Sequence, residues 1–113
     1  TMRRLKGDHP QPLPFSPSVL EVIREALVGA VNDEEGTGQA AKLPDIVVAG
    51  KTGTAQNPHG LDHAWFVGYA PAAHPLITVA VLVENGGHGG ATAAPLAGKI
   101  IGFYLREERS EGP

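Results

Sequence analysis

The sequence has no cysteine, which excludes disulfides, thiolate nucleophiles and Cys-ligated zinc. That absence leaves the compartment open, because exported domains also occur without cysteine. Positive charge is not in excess: 9 Lys and Arg stand against 12 Asp and Glu, for a formal net charge of -3. Nothing in that balance holds phosphate, so nucleic acid is not an expected partner. Long apolar runs are missing too. The longest, Leu76 to Val83, is interrupted by Thr78 and falls far short of the roughly 20 residues that span a bilayer. No signal-peptide pattern opens the chain, and Thr1-Met2-Arg3-Arg4 reads as a cut from something longer.

What remains is a chain of 113 residues, 42% of them hydrophobic, which is enough for one domain or part of one. Fifteen Gly and ten Pro are about twice average usage, so turns are numerous, but the content stays short of a low-complexity chain. Residues 1–15 carry the basic Arg3, Arg4 and Lys6, followed by Pro10, Pro12 and Pro14. The prolines favour an extended linker. Ser16 or Ser18 then caps a helix over 17–32, with Pro17 in its first turn and Ser18-x-x-Glu21 fitting a capping box. Val19, Leu20, Ile23, Ala26, Leu27, Ala30 and Val31 recur at helical spacing and predict its buried face.

A polar, Gly-rich loop covers 32–42, and a short turn precedes Pro44. Ile46 to Gln56, Ala64 to Ala70 and Leu76 to Glu84 are rich in β-branched, aromatic or other hydrophobic residues, and turn residues separate them. They predict a three-stranded antiparallel meander. After the flexible Asn85–Ala91 loop, Thr92 and Pro95 open a last helix to about Leu105 or Arg106, with Leu96, Ile100, Phe103 and Tyr104 as its apolar face. Gly98 and Gly102 are expected to let that helix sit tightly on the sheet. Residues 107–113 read as a polar tail. The fold class is α+β: an N-terminal helix, a three-stranded antiparallel sheet and a C-terminal helix.

The most informative segment is Gly50-Lys51-Thr52-Gly53-Thr54-Ala55. A phosphate-binding loop requires a glycine six residues before the lysine and a helix after it. Asp45 stands at the first place and Gln56-Asn57-Pro58 at the second, so the nucleotide reading fails twice. An ordinary strand with a surface lysine remains the bland alternative for the tripeptide by itself.

The tripeptide has company. Lys-Thr-Gly on a strand is one of three signatures of penicillin-binding proteins and serine β-lactamases. Here it sits in Val48-Ala49-Gly50-Lys51-Thr52-Gly53-Thr54-Ala55-Gln56, followed by Asp62-His63-Ala64-Trp65-Phe66-Val67-Gly68-Tyr69-Ala70-Pro71 and by Val83-Glu84-Asn85-Gly86-Gly87. Together these resemble the C-terminal part of the transpeptidase domain of a class B penicillin-binding protein of the cell-elongation type, over about residues 16–106. The resemblance implies a peptidoglycan D,D-transpeptidase that works through an acyl-serine intermediate, with no cofactor and no metal. It also implies a stem peptide ending in D-alanine as substrate, β-lactam antibiotics as inhibitors, a cell-wall glycosyltransferase as a possible partner, and the extracytoplasmic face of the bacterial membrane as its place of work. Two further strands and a helical subdomain would come from an upstream part of the same domain. This piece alone would then leave apolar surface uncovered.

The residue types suit that chemistry. An extended peptide can add to an edge strand, and Thr52 and Thr54, two apart, share a face from which both hydroxyls can reach a terminal carboxylate. Lys51 supplies positive potential and can help move protons, while Gly53 permits close approach. In the family that the chain resembles, the backbone N–H at the position of Thr54 is one oxyanion donor, and the N–H of the nucleophilic Ser is the other. A flat period-two strand puts Lys51 on the face opposite the two threonines.

The departure from the family pattern is an absence: Ser16, Ser18 and Ser110 are the three serines, and none is followed by Lys three residues later. No Ser-x-Asn occurs either. The 113-residue chain is therefore expected to be one wall of an active site and inert by itself. The alternatives are a non-catalytic β-lactam or peptide docking module, and a β-lactamase fragment. His59 and His63 stand four apart, but Pro58 and Gly60 break the helix that would make them co-ligands. His63 reads as a strand-opening residue paired with Asp62, and His88 as part of the cleft rim.

Overall fold

In the computed structural model, residues 6, 7 and 9–111 are described, the side chains of 108–111 excepted. Arg3 and Arg4 of the basic cluster lie outside them. Residues 9–13 are exposed and outside regular structure. Helix α1 (Pro17–Asn32) starts at Ser16, whose hydroxyl accepts from the Val19 N–H at 3.3 Å. Ser16, and not Ser18, is the cap, and the expected capping box does not form. Glu21 reaches forward to Arg24 at 2.7 Å instead of back to the helix start. The far end of α1 is tied to the sheet by Asn32, whose Nδ2 donates to Val28 O and to Val48 O, both at 2.8 Å.

The meander is present as β1 (Ala49–Ala55), β2 (His63–Ala70) and β3 (Ile77–Val83), antiparallel and in the order β1-β2-β3. The first strand is shorter than the apolar run suggested. Ile46 and Val48 are buried but lie before the ladder, which opens at the Ala49–Tyr69 pair. Ala64, Phe66, Gly68 and Ala70 are buried along β2 while Trp65 and Val67 are exposed, so one sheet face carries the core and the other is open. Phe66, fully buried, is the largest core side chain. Its ring lies so close to Gly50 that a Cβ there would stand 2.4 Å from the ring tip, which is why the position before Lys51 tolerates only glycine.

Helix α2 (Ala93–Glu111) differs from expectation in four ways. It continues past Arg106 through residues counted as polar tail, because Glu and Arg are good helix formers even where the apolar pattern stops. Its buried face is Ala93, Ala94, Ala97, Ile101 and Leu105, whereas Leu96, Ile100, Phe103 and Tyr104 are exposed, Phe103 by 68%. Small residues permit the closer helix approach, and the bulky ones turn outward. Gly98 is indeed a close contact, but with the short 3-10 turn Gln39–Ala41: a Cβ there would lie 3.0 Å from Ala41 Cα. Thr92 does not cap α2 with its hydroxyl, which donates to His88 O at 3.3 Å. The first helical N–H groups, of Ala93 and Ala94, bond Gly89 O. The face of α1 is likewise less buried than its spacing predicted, since only Val31 is fully covered and Val19 and Ile23 are exposed.

Candidate functional site

Strand β1 is a border of the sheet, with β2 on one side and no strand on the other among the described residues. A border strand directs alternate N–H and C=O groups outward, where a further extended chain can pair with them. Thr52 faces the buried Phe66 across the ladder and Thr54 the buried Ala64, whereas Lys51 and Gly53 pair with the exposed Val67 and Trp65. The alternation read from the sequence therefore holds: Lys51 is on the open face and the threonines are on the other. Lys51 nevertheless reaches the border, because its Nζ curls round to donate to Thr52 O at 3.1 Å. The ammonium thus lies beside the strand backbone.

Thr54 is exposed, while Thr52 is half-buried and donates its hydroxyl proton to Thr37 Oγ1 at 2.9 Å. Thr37 belongs to the Gly-rich loop after α1, which the sequence reading treated as a connector. The strand thus presents a cation and an open hydroxyl that can donate to a terminal carboxylate, beside a second hydroxyl whose one proton is held by Thr37.

Beyond Ala55 the chain turns through 56–62 into β2, and this turn is knotted to the loop after β3. Asn57 Nδ2 donates to Leu61 O at 3.1 Å and to Asn85 Oδ1 at 2.7 Å. Its Oδ1 accepts from the His59 N–H at 3.1 Å, and its own N–H donates to Asp62 Oδ1 at 3.2 Å. His63 opens β2 as expected, but its partner is not Asp62. Its Nδ1 accepts from the Asn85 N–H at 3.0 Å, and the Gly87 N–H donates to Asp62 O at 2.8 Å. His88 is exposed, and its carbonyl accepts from the Ala91 and Thr92 N–H groups, which makes its backbone a turn residue. Asn57, Asn85 and Thr37 were missed by the sequence reading. The one local signal was Asn in front of Pro58 and of Gly86, which marks turns and not partners.

Comparison with known proteins gives this geometry a family. Residues 3–102 match the family model of the penicillin-binding protein transpeptidase domain. The peptidoglycan D,D-transpeptidase MrdA of Haemophilus influenzae is 40% identical over 103 residues, which cover 77% of this chain and 16% of that protein. Among solved structures, penicillin-binding protein A of Mycobacterium tuberculosis, seen as a ceftriaxone acyl-enzyme complex, superposes with a TM-score of 0.66 at 41% identity, over 76% of this chain and 21% of that one. Pseudomonas aeruginosa PBP2, in complex with WCK 5153, gives 0.75 at 36% identity over 85% and 21%. The chain thus spans about a fifth of the length of these relatives. The matched residues include the Lys-Thr-Gly border, and the chain belongs to the penicillin-binding protein transpeptidase domain family, of which it represents a part.

Proposed function

We propose that these residues form one wall of the active site of a peptidoglycan D,D-transpeptidase, with β1 as the strand on which the donor stem peptide lies. The observation that carries this reading is the Lys51-Thr52-Gly53-Thr54 run at a sheet border that no strand among the described residues pairs with, with Lys51 and Thr54 open to solvent. The peptide's terminal D-alanine carboxylate lies against Thr54 and the Lys51 ammonium, and Thr52 joins them by turning its hydroxyl proton from Thr37 Oγ1 to the carboxylate. The carbonyl to be attacked points at the Thr54 N–H.

The reaction itself needs a serine that the 113 residues do not supply in a Ser-x-x-Lys context. Another part of the same domain provides it. Its Oγ attacks the carbonyl of the penultimate D-alanine, the bond to the terminal D-alanine nitrogen breaks, and the serine proton passes to that leaving amine. An acceptor amine on a second stem peptide then attacks the acyl-serine, forms the cross-link and returns a proton to the serine oxygen. Each tetrahedral intermediate places negative charge on the oxygen facing Thr54 N–H, and one such donor contributes about a hundredfold or more to the rate. β-Lactams enter the same site and stop at the acyl-serine. The work is done outside the cytoplasmic membrane; no helix among the described residues is long and apolar enough to cross one.

The test is acylation of the complete protein by a fluorescent penicillin. Thr52→Val and Lys51→Ala should each lower the second-order acylation constant at least tenfold. Acylation at the wild-type rate in both variants would reject β1 as the substrate strand.

A further inference from the structure

A strand with a neighbour on one side only is free to fray at its end, and the end of β1 is where the donor N–H of Thr54 must be held still. The structure places an unusual amount of polar order just beyond it. Asn57, one residue past Gln56, and His63, the ladder partner of Ala55, both bind Asn85 from the loop after β3, through its Oδ1 and its N–H. Asn85 has φ 54, a left-handed conformation that asparagine adopts far more readily than most residues. That conformation aims its N–H at His63 Nδ1 while its side chain reaches Asn57.

A second observation is independent of these bonds. The same loop returns across the strands at Gly89, where a Cβ would stand 2.6 Å from Gly53 O, 3.1 Å from Gly53 N and 2.4 Å from Trp65 O. The loop is therefore tied down at its start by Asn85 and rests at Gly89 on the peptide immediately before Thr54. Its position and that of the Thr54 N–H are set together.

We propose that Asn57, His63 and Asn85 are positioning residues: they clasp the end of the Lys-Thr-Gly strand to the loop after β3 and so fix the Thr54 N–H against the carbonyl to be attacked. The role rests on the transpeptidase reading. It predicts a loss in the chemical step and not in the capture of the ligand, because the clasp touches neither Lys51 nor Thr52. A displacement of about 1 Å in such a donor can lower a rate by on the order of a hundredfold.

Asn57→Asp is nearly isosteric, yet it removes both hydrogen bonds that Asn57 Nδ2 donates and sets a carboxylate against two acceptors. His63→Phe removes the acceptor of the Asn85 N–H. Asn85→Ala removes the acceptor of Asn57, whereas Asn85→Asp keeps it and keeps the tolerance of positive φ. The complete protein should be acylated by a fluorescent penicillin over a range of concentrations, to separate the limiting rate from the half-saturation concentration.

The expected result is a limiting rate lowered about tenfold or more in Asn57→Asp, His63→Phe and Asn85→Ala, half-saturation within about twofold of wild type, and a near wild-type rate for Asn85→Asp. Wild-type limiting rates in the first three, or a loss confined to half-saturation, overturns the clasp. If Asn57→Asp or His63→Phe does not fold, the two substitutions at the exposed Asn85 decide between these results. A wild-type protein that no penicillin acylates would reject the transpeptidase reading itself, and the clasp with it. An acylated wild type with indifferent variants rejects the clasp alone.

Discussion

Gly50→Ala should be among the most damaging small substitutions in this chain, and the reason is specific. The added methyl would stand 2.4 Å from Phe66 Cζ and 2.8 Å from Val67 O. An ordinary contact needs about 3.4 Å or more, so either the ring or the strand must shift by about 1 Å. Phe66 cannot retreat, because it is fully buried and its other ring edge already abuts Gly38, where a Cβ would lie 3.2 Å from Phe66 Cε2. Overpacking of this kind costs about 1–3 kcal/mol, and the strand that moves is the one carrying Lys51 and Thr54.

The assay is a double-mutant cycle in the complete protein, read by urea unfolding and by penicillin acylation. Phe66→Leu shortens the side chain that Gly50→Ala strikes, so the double variant should be more stable than the sum of the single losses by about 1 kcal/mol. Recovery should stay incomplete, because the Val67 carbonyl remains in the way. A Gly50→Ala loss below about 0.5 kcal/mol, or strict additivity with Phe66→Leu, would refute the packing argument.

Two other outcomes follow from single contacts. Asn32→Ala should lower stability by about 1–2 kcal/mol, because it unties α1 from Val48 O and leaves that part-buried carbonyl without its side-chain donor; denaturant unfolding measures this. Ser16→Ala should cost about 1 kcal/mol by the same measurement, since the Val19 N–H loses its cap, whereas Ser18→Ala should change little.

The architecture was legible wherever one periodicity dominated. The aromatic and β-branched run from Ala64 to Ala70 announced a strand, though not which of its faces is covered, and Ser16-Pro17 marked the start of α1. The face of α2 was misread because large apolar residues dominate any hydropathy pattern, while Ala93, Ala94, Ala97 and Gly98 are what the fold actually buries. Small residues buried for closeness leave little trace in hydropathy. In α1 the apolar stripe is real, yet Val19 and Ile23 stay exposed, since a stripe announces that burial is wanted without saying which segment supplies it.

The candidate site divides the same way. Lys51, Thr52, Gly53 and Thr54 form a contiguous motif whose spacing carries its chemistry. Thr37, Asn57 and Asn85 act across 15 to 28 residues of sequence through single hydrogen bonds, and no local pattern encodes a pairing of that length. His63 lay between the two cases. Its place at the head of β2 was readable, but its partner was not.

The most direct test of the account is to locate the acyl group. The complete protein, labelled with a penicillin and digested, should yield one modified peptide whose serine stands in a Ser-x-x-Lys sequence outside these 113 residues, and the label should weaken sharply in Thr52→Val. A label on Ser16, Ser18 or Ser110, or acylation of the isolated 113-residue polypeptide, would contradict it.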